Sequence, residues 1–195
     1  MALTVRYGDF MNLAGICEKQ RDKLLPKWVD AFFSSYALDS VGLLRTQSDP
    51  FTNPVGEITR RSLAVLYSAV VGSDVEQKTV SSALEELVRV RAVQDMPPTS
   101  AVGALFLLKP ILREYLLPQI QKATTPGLAE LLQEYLDMES RLDSLALLAF
   151  DLYSANRETV FNIKVEEIKR GQSQITRWAT LRQKPAYGAG IAEGE

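Results

Sequence analysis

Apolar residues along this chain return at every third or fourth position, and no stretch alternates apolar with polar for long enough to read as a strand. The first helical segment runs from about Phe10 to Tyr36, with Ile16, Leu24, Trp28, Ala31, Phe32 and Tyr36 as its apolar points. Pro26 is expected to divide it, since an interior proline removes an amide donor and crowds the preceding turn. A loop follows, ending at Asp49-Pro-Phe-Thr-Asn53-Pro54. Asn53 is a natural N-cap, Pro54 suits the first helical position, and Gly72 is placed to end that second helix after Val71. A third helix starts near Asp74 and puts Val80, Leu84, Leu87, Val88 and Arg91 on one face before Asp95-Met-Pro97-Pro98 breaks it. The fourth, Thr99 to Leu117, is apolar nearly all round early on and reads as the buried centre of a bundle. Pro110 should bend it and Pro118 should end or kink it. The pattern therefore predicts an all-α bundle of about six helices.

After Pro126 the chain contains no proline as far as Arg170, and its one glycine there, Gly127, stands at the start. A helix of that length would span roughly 65 Å at 1.5 Å per residue, more than a small bundle can cover. Its apolar residues recur in steps of three and four: Leu128, Leu131, Tyr135, Met138, Leu142, Leu145, Ala149 and Leu152, then the polar Asn156. Such a seam predicts pairing with a second copy through Leu142, Leu145, Ala149 and Leu152, with Asn156 setting the register. Lys169 and Arg170 complement the helix dipole and Gly171 is the expected C-cap. The reading is a helical domain over 1–170 and a polar tail over 171–195, its glycine-rich last ten residues disordered. In that tail Trp178 and Leu181 are candidate anchors, onto a partner or onto the chain's own bundle.

Composition narrows the chemistry. The chain has no histidine and one cysteine, Cys17. That removes the usual general base near neutral pH, a proximal haem ligand and thiolate metal cages, so no cofactor, no metal and no enzymatic activity are expected. Lys and Arg number 22 against 24 Asp and Glu, with no dense basic run, so nucleic acid is not an expected partner. The longest apolar stretches, Ala101–Leu108 and Leu145–Phe150, are far short of the roughly 18 residues of a membrane span. The first ten residues hold no apolar core of secretory length, and the expected location is the cytoplasm.

One cluster stands out: Arg89, Arg91, Gln94 and Asp95, followed by Lys109 and Arg113. Arg91 has a core-facing phase, where an unpaired charge is costly, so it needs a partner. That partner is a carboxylate such as Asp95, the carbonyls exposed at the Gln94–Pro98 break, or an anionic ligand; the six residues together are the candidate pocket. Glu85-Glu86 and Glu166-Glu167 are adjacent on helices, point in different directions, and read as solvated faces. Gly188-Ala-Gly190 sits in a tail and makes no phosphate loop, and Cys17 reads as a small buried apolar residue.

Three ordered blocks carry a family likeness: Asp49-Pro-Phe-Thr-Asn-Pro-Val-Gly56, Val90-Arg-Ala-Val-Gln-Asp95 leading into Ala101-Val-Gly-Ala-Leu-Phe-Leu-Leu-Lys109, and Asp143-Ser-Leu-Ala-Leu-Leu-Ala-Phe-Asp-Leu-Tyr153. Over roughly residues 8–170 the chain resembles the RsbRD N-terminal domain family, the N-terminal domains of RsbT co-antagonists. The resemblance implies a non-haem, globin-like sensory domain that dimerises through its terminal helices. Stressosome co-antagonists carry a phosphorylatable STAS domain after the sensor, so a stand-alone version of the sensor is expected here. The resulting expectation is a signalling domain that passes its signal to a protein partner through the final helix. The alternative is an accessory subunit docked on the cytoplasmic side of a redox complex of sulfur or anaerobic energy metabolism, because stand-alone versions resemble those of anaerobes, sometimes encoded beside such complexes.

Overall fold

A computed structural model describes residues 12–36, 38–46, 49, 51–122 and 125–182, without the side chains of 38–40, 125, 126, 176, 177 and 179–182. Among the described residues there are eight α-helices, one 3₁₀ segment and no strand. In chain order they are α1 (Leu13–Lys19), α2 (Arg21–Phe33), α3 (Leu38–Thr46), α4 (Pro54–Val71), α5 (Gln77–Val93), α6 (Pro98–Ala101), the 3₁₀ segment Gly103–Leu107, α7 (Leu108–Ile120) and α8 (Thr125–Arg182). The described residues form two compact units that divide after Arg157.

The first unit is built on one core. Trp28 and Phe32 of α2, Leu63, Leu66, Tyr67 and Val70 of α4, and Leu84, Leu87 and Val88 of α5 are buried together. On α7 the buried residues Leu108, Leu112, Leu116 and Ile120 come every fourth position, one stripe of a helix. The Tyr67 hydroxyl donates to the Cys17 carbonyl at 2.9 Å, which satisfies a phenol that would otherwise be costly in the core. The start of α4 is set by Asn53: its Oδ1 accepts from the Gly56 amide at 2.8 Å while its Nδ2 donates to the Leu44 carbonyl at 3.2 Å. Glycine is required at 56 because any Cβ would overlap the Asn53 side chain. At the other end Gly72 takes φ 90°, the left-handed cap that favours glycine.

Several boundaries differ from the pattern-based expectation, each for a local reason. The first helix divides at Gln20, not Pro26; Pro26 stays inside α2, in its second turn, where the buried Leu24, Trp28 and Phe32 on either side hold the helix together despite the lost donor. The loop expected after Tyr36 contains α3, whose buried Val41 and Leu44 keep helical spacing around a weakening Gly42. The helix expected over Thr99–Leu117 is interrupted before Pro110, by the 3₁₀ segment, so Pro110 falls in the first turn of α7, where its missing amide breaks no hydrogen bond of that helix. Pro118 does not stop α7 either; the helix continues to Ile120. Finally, Gly171 is no cap, because α8 runs through it to Arg182. These divisions turn about six expected helices into eight.

The proposed dimer seam faces inward. Leu142 and Ala149 are fully buried in the first unit's own core, with Leu131, Tyr135, Met138, Ala146 and Tyr153. Leu145 and Leu152 are partly buried against the same core, and Asn156 Nδ2 donates to the Leu152 carbonyl at 2.8 Å. A period near 3.5 says that a helix face is covered; it does not say whether the cover is the same chain or another. In the second unit, by contrast, Phe161, Ile163, Ile168, Ile175 and Trp178 of α8 are exposed. The Leu181 side chain and residues 183–195, which include the last ten, expected to be disordered, lie outside the described residues.

Candidate functional site

The corner where α5 gives way to α6 gathers the most unusual chemistry of the first unit. Arg91 lies on the last turn of α5, on the stripe of Leu84, Leu87 and Val88, and its side chain is fully buried. Its guanidinium lies 4.2 Å from the centroid of the Phe32 ring and 4.6 Å from that of Tyr36. Nη2 donates to Ser35 Oγ at 2.5 Å and to the Ser100 carbonyl at 2.9 Å. Arg91 thus ties α5 to α2 on one side and to α6, beyond the double proline, on the other.

No carboxylate answers this charge among the described residues. Among the described residues, Nε and Nη1 of Arg91 and the buried hydroxyl of Tyr36 make no hydrogen bond of good geometry. Burial therefore pulls the guanidinium down from 12.5 to about 10, an effect that the Tyr36 hydroxyl opposes. The side chain remains a cation at neutral pH and is held by its two hydrogen bonds and two aromatic faces, contacts that gain strength when desolvated.

The outside of the same corner is held by α8. Asp95 adopts φ 61°, a left-handed conformation that aspartate tolerates better than most residues. Its carboxylate pairs with Arg157, whose Nη1 also donates to the Ala92 carbonyl at 3.2 Å. One turn earlier on α8, the Tyr153 hydroxyl donates to the Met96 carbonyl. Tyr153 and Arg157 therefore cap the loose end of α5 from one side while Arg91 braces it from the other.

The six residues singled out from the sequence do not form one pocket. Arg91, Gln94 and Asp95 belong to the corner, with Gln94 the exposed C-cap of α5. Arg89 is exposed on another face. Lys109 and Arg113 link α7 to α8 instead: Lys109 Nζ is 2.7 Å from Asp143, and Arg113 Nη2 is 3.4 Å from Glu139. Glu139 in turn accepts from the Tyr135 hydroxyl at 2.7 Å. Ser35, Ser100, Tyr153 and Arg157 were not legible as members of the corner. They lie 9 to 65 residues away along the chain from the groups they touch, and no local pattern links them.

Among the described residues no group of three or more His, Cys, Asp or Glu is placed to hold a metal ion, and no helix is long and apolar enough to cross a membrane. The family model of the RsbT co-antagonist protein rsbRD N-terminal domain matches residues 22–167. That span covers α2 to α7 and the part of α8 that contains Tyr153 and Arg157. No curated protein and no solved structure matches the chain.

Proposed function

The chain belongs to the RsbT co-antagonist rsbRD N-terminal domain family, a class of signalling and sensory domains with an all-α, globin-like bundle, and on that basis we propose that it acts without catalysis, pairing with a second copy and passing its signal to a protein partner through α8. The observation that carries this reading is the seam of the second unit. Phe161, Val165, Ile168, Gln172 and Ile175 follow one another at steps of four, three, four and three on one helix. Phe161, Ile168 and Ile175 are exposed. A helix draws most of its stability from packing an apolar face, so a heptad seam of this kind calls for a matching helix. A second copy supplies one by symmetry, and the polar Gln172 sets the register. This seam replaces the inward-facing stripe of Leu142, Leu145, Ala149, Leu152 and Asn156 as the pairing face.

The corner at Arg91 supplies a route for the signal. Tyr153 and Arg157 stand at the end of the first unit, immediately before the seam begins. A shift of α2 or α6 at Arg91 alters what these two residues hold, and so biases α8. Because the predicted change is mechanical, it needs neither acid, base nor nucleophile at the corner.

Sedimentation velocity on the full chain tests the pairing. The native protein is expected to sediment as a dimer at tens of micromolar, and a Phe161→Glu, Ile168→Glu double variant as a folded monomer with the thermal transition of the bundle retained. A native monomer at that concentration overturns the reading. Trp178, exposed on α8, favours a second reading, an accessory subunit anchored to a larger cytoplasmic-side redox complex. Affinity purification separates the two: a tagged Trp178→Ala chain loses its partner under the second reading, and the double Glu variant loses it under the first.

A further inference from the structure

A cleft of about 400 Å³ opens where α2, α3 and α4 meet, away from the Arg91 corner. Leu25, Pro26, Val29 and Phe33 of α2 form its apolar floor, and Asp30, Arg45 of α3 and Arg60 of α4 stand at its rim. An apolar floor with a few convergent polar groups, in a volume between about 300 and 1,000 Å³, is the usual make-up of a small-molecule site.

The rim charges do not cancel. Arg45 is neutralised by Asp30, with Nε 2.6 Å from Oδ1, and the neighbouring Arg61 is taken up by Glu86 at 2.6 Å. Arg60 has no carboxylate partner among the described residues. It is nevertheless not a loose surface cation. Nη2 donates to the Leu44 carbonyl at 2.5 Å, and the guanidinium lies 5.2 Å from the centroid of the Phe33 ring, itself part of the floor. Tied at one nitrogen and stacked on a ring, the group keeps its other N–H donors for a second acceptor and loses little freedom when one arrives.

We infer that this cleft binds a small amphiphilic carboxylate, an aliphatic acid of medium chain length. The chain lies along Leu25, Pro26, Val29 and Phe33, and the carboxylate accepts from Arg60. The floor selects for the tail and the unbalanced cation selects for the head. A neutral alcohol of the same length keeps only the first contribution, and an alkylammonium ion meets repulsion at the rim. Binding here does not require the chain to be paired, so the inference stands or falls separately from the proposed function.

Titration calorimetry on the full chain with sodium octanoate, 1-octanol and octylammonium chloride is the test. Octanoate is expected to bind saturably, one per chain, with octanol at least about tenfold weaker and octylammonium showing no binding. Arg60→Gln should weaken octanoate by about tenfold or more, whereas Arg61→Gln should leave it unchanged. Val29→Trp fills the floor while keeping Arg60 and should abolish binding. Equal affinity for octanoate and octanol, or full octanoate affinity in Val29→Trp, overturns the inference. If Arg60→Gln fails to fold through loss of its bond to Leu44, Val29→Trp decides the matter alone.

Discussion

Replacing Arg91 by Met and by Ala separates what its bulk does from what its charge does. In the folded chain the guanidinium is fully buried and its pKa falls from 12.5 to about 10. At 1.36 kcal/mol per unit that shift corresponds to roughly 3 kcal/mol against burying the charged form. Two hydrogen bonds and stacking on Phe32 and Tyr36 act in the opposite direction, with a charged hydrogen bond worth about 1.5–3 kcal/mol and a desolvated cation–ring contact about 2. Methionine keeps most of the volume, sheds the charge and loses those contacts; the two hydrogen bonds at the low end of their range offset the burial cost, so Arg91→Met should lose about the ring contacts, roughly 2–4 kcal/mol. Alanine sheds the same contributions and adds a cavity, which costs about 2–5 kcal/mol. The difference between the two variants is the quantity to measure, because the charge contributions are common to both. For a chain of this size it should appear as a Tm about 5–15 °C lower for Arg91→Ala than for Arg91→Met. The figure of about 3–5 kcal/mol for breaking a buried ion pair does not apply, since no carboxylate is left behind. Scanning calorimetry of both variants provides the assay. Equal large losses for Met and Ala would refute the reasoning, because the charge itself would then be what holds the corner.

Further expectations follow from single contacts. Burial pushes the Cys17 thiol up to about 11, so native protein at pH 8 should react only slowly with a disulfide reagent. Because that pKa is raised, the thiol's contribution is complete below about pH 9 and is lost as pH rises through about 11. Urea melts at pH 8 and pH 10.5 should therefore differ more for the native chain than for Cys17→Ala. At Gly72 the φ of 90° makes alanine strained, so Gly72→Ala should cost about 1–2 kcal/mol. Gly15→Ala, helical with open space at its Cβ, should instead stabilise by about 0.5–1 kcal/mol, both read from chemical denaturation. Arg157→Gln removes a partly exposed ion pair with Asp95, so it should cost under about 1 kcal/mol yet speed hydrogen exchange at the amides of Gln94, Asp95 and Met96. Unchanged exchange there would separate α8 from the corner.

Much of the fold was legible because it rests on local signals. The Asn53-Pro54 start and the Gly72 end of α4 follow from capping chemistry that needs only neighbouring residues. The break at Asp95–Pro98 follows from two prolines. The helix within 38–46 was not legible, since Gly42 weakens its propensity and only burial of Val41 and Leu44 against the bundle stabilises it. The corner was half legible: the phase of Arg91 points inward from its own helix, but which groups meet it is a matter of tertiary folding. Of the carboxylate, the carbonyls at the break and the anionic ligand expected as alternatives, the Ser100 carbonyl is the one that meets it, together with the rings of Phe32 in α2 and Tyr36 just after it.

The final helix shows most plainly why a repeat in sequence is not an interface. From Leu131 to Tyr153 the steps of three and four describe a stripe that the chain covers with its own bundle. From Phe161 to Ile175 the same steps describe side chains left largely exposed. The two stretches are indistinguishable by period, and only burial divides them. Glutamate at Leu142 and glutamate at Ile168 should therefore fail in different ways. The first puts a charge into a packed core and should cost the bundle its cooperative thermal transition. The second puts one at an exposed seam and should leave that transition in place while shifting the sedimentation coefficient. If both variants instead lost the transition together, Ile168 would have to be part of the folded core, and pairing through the second unit would no longer follow.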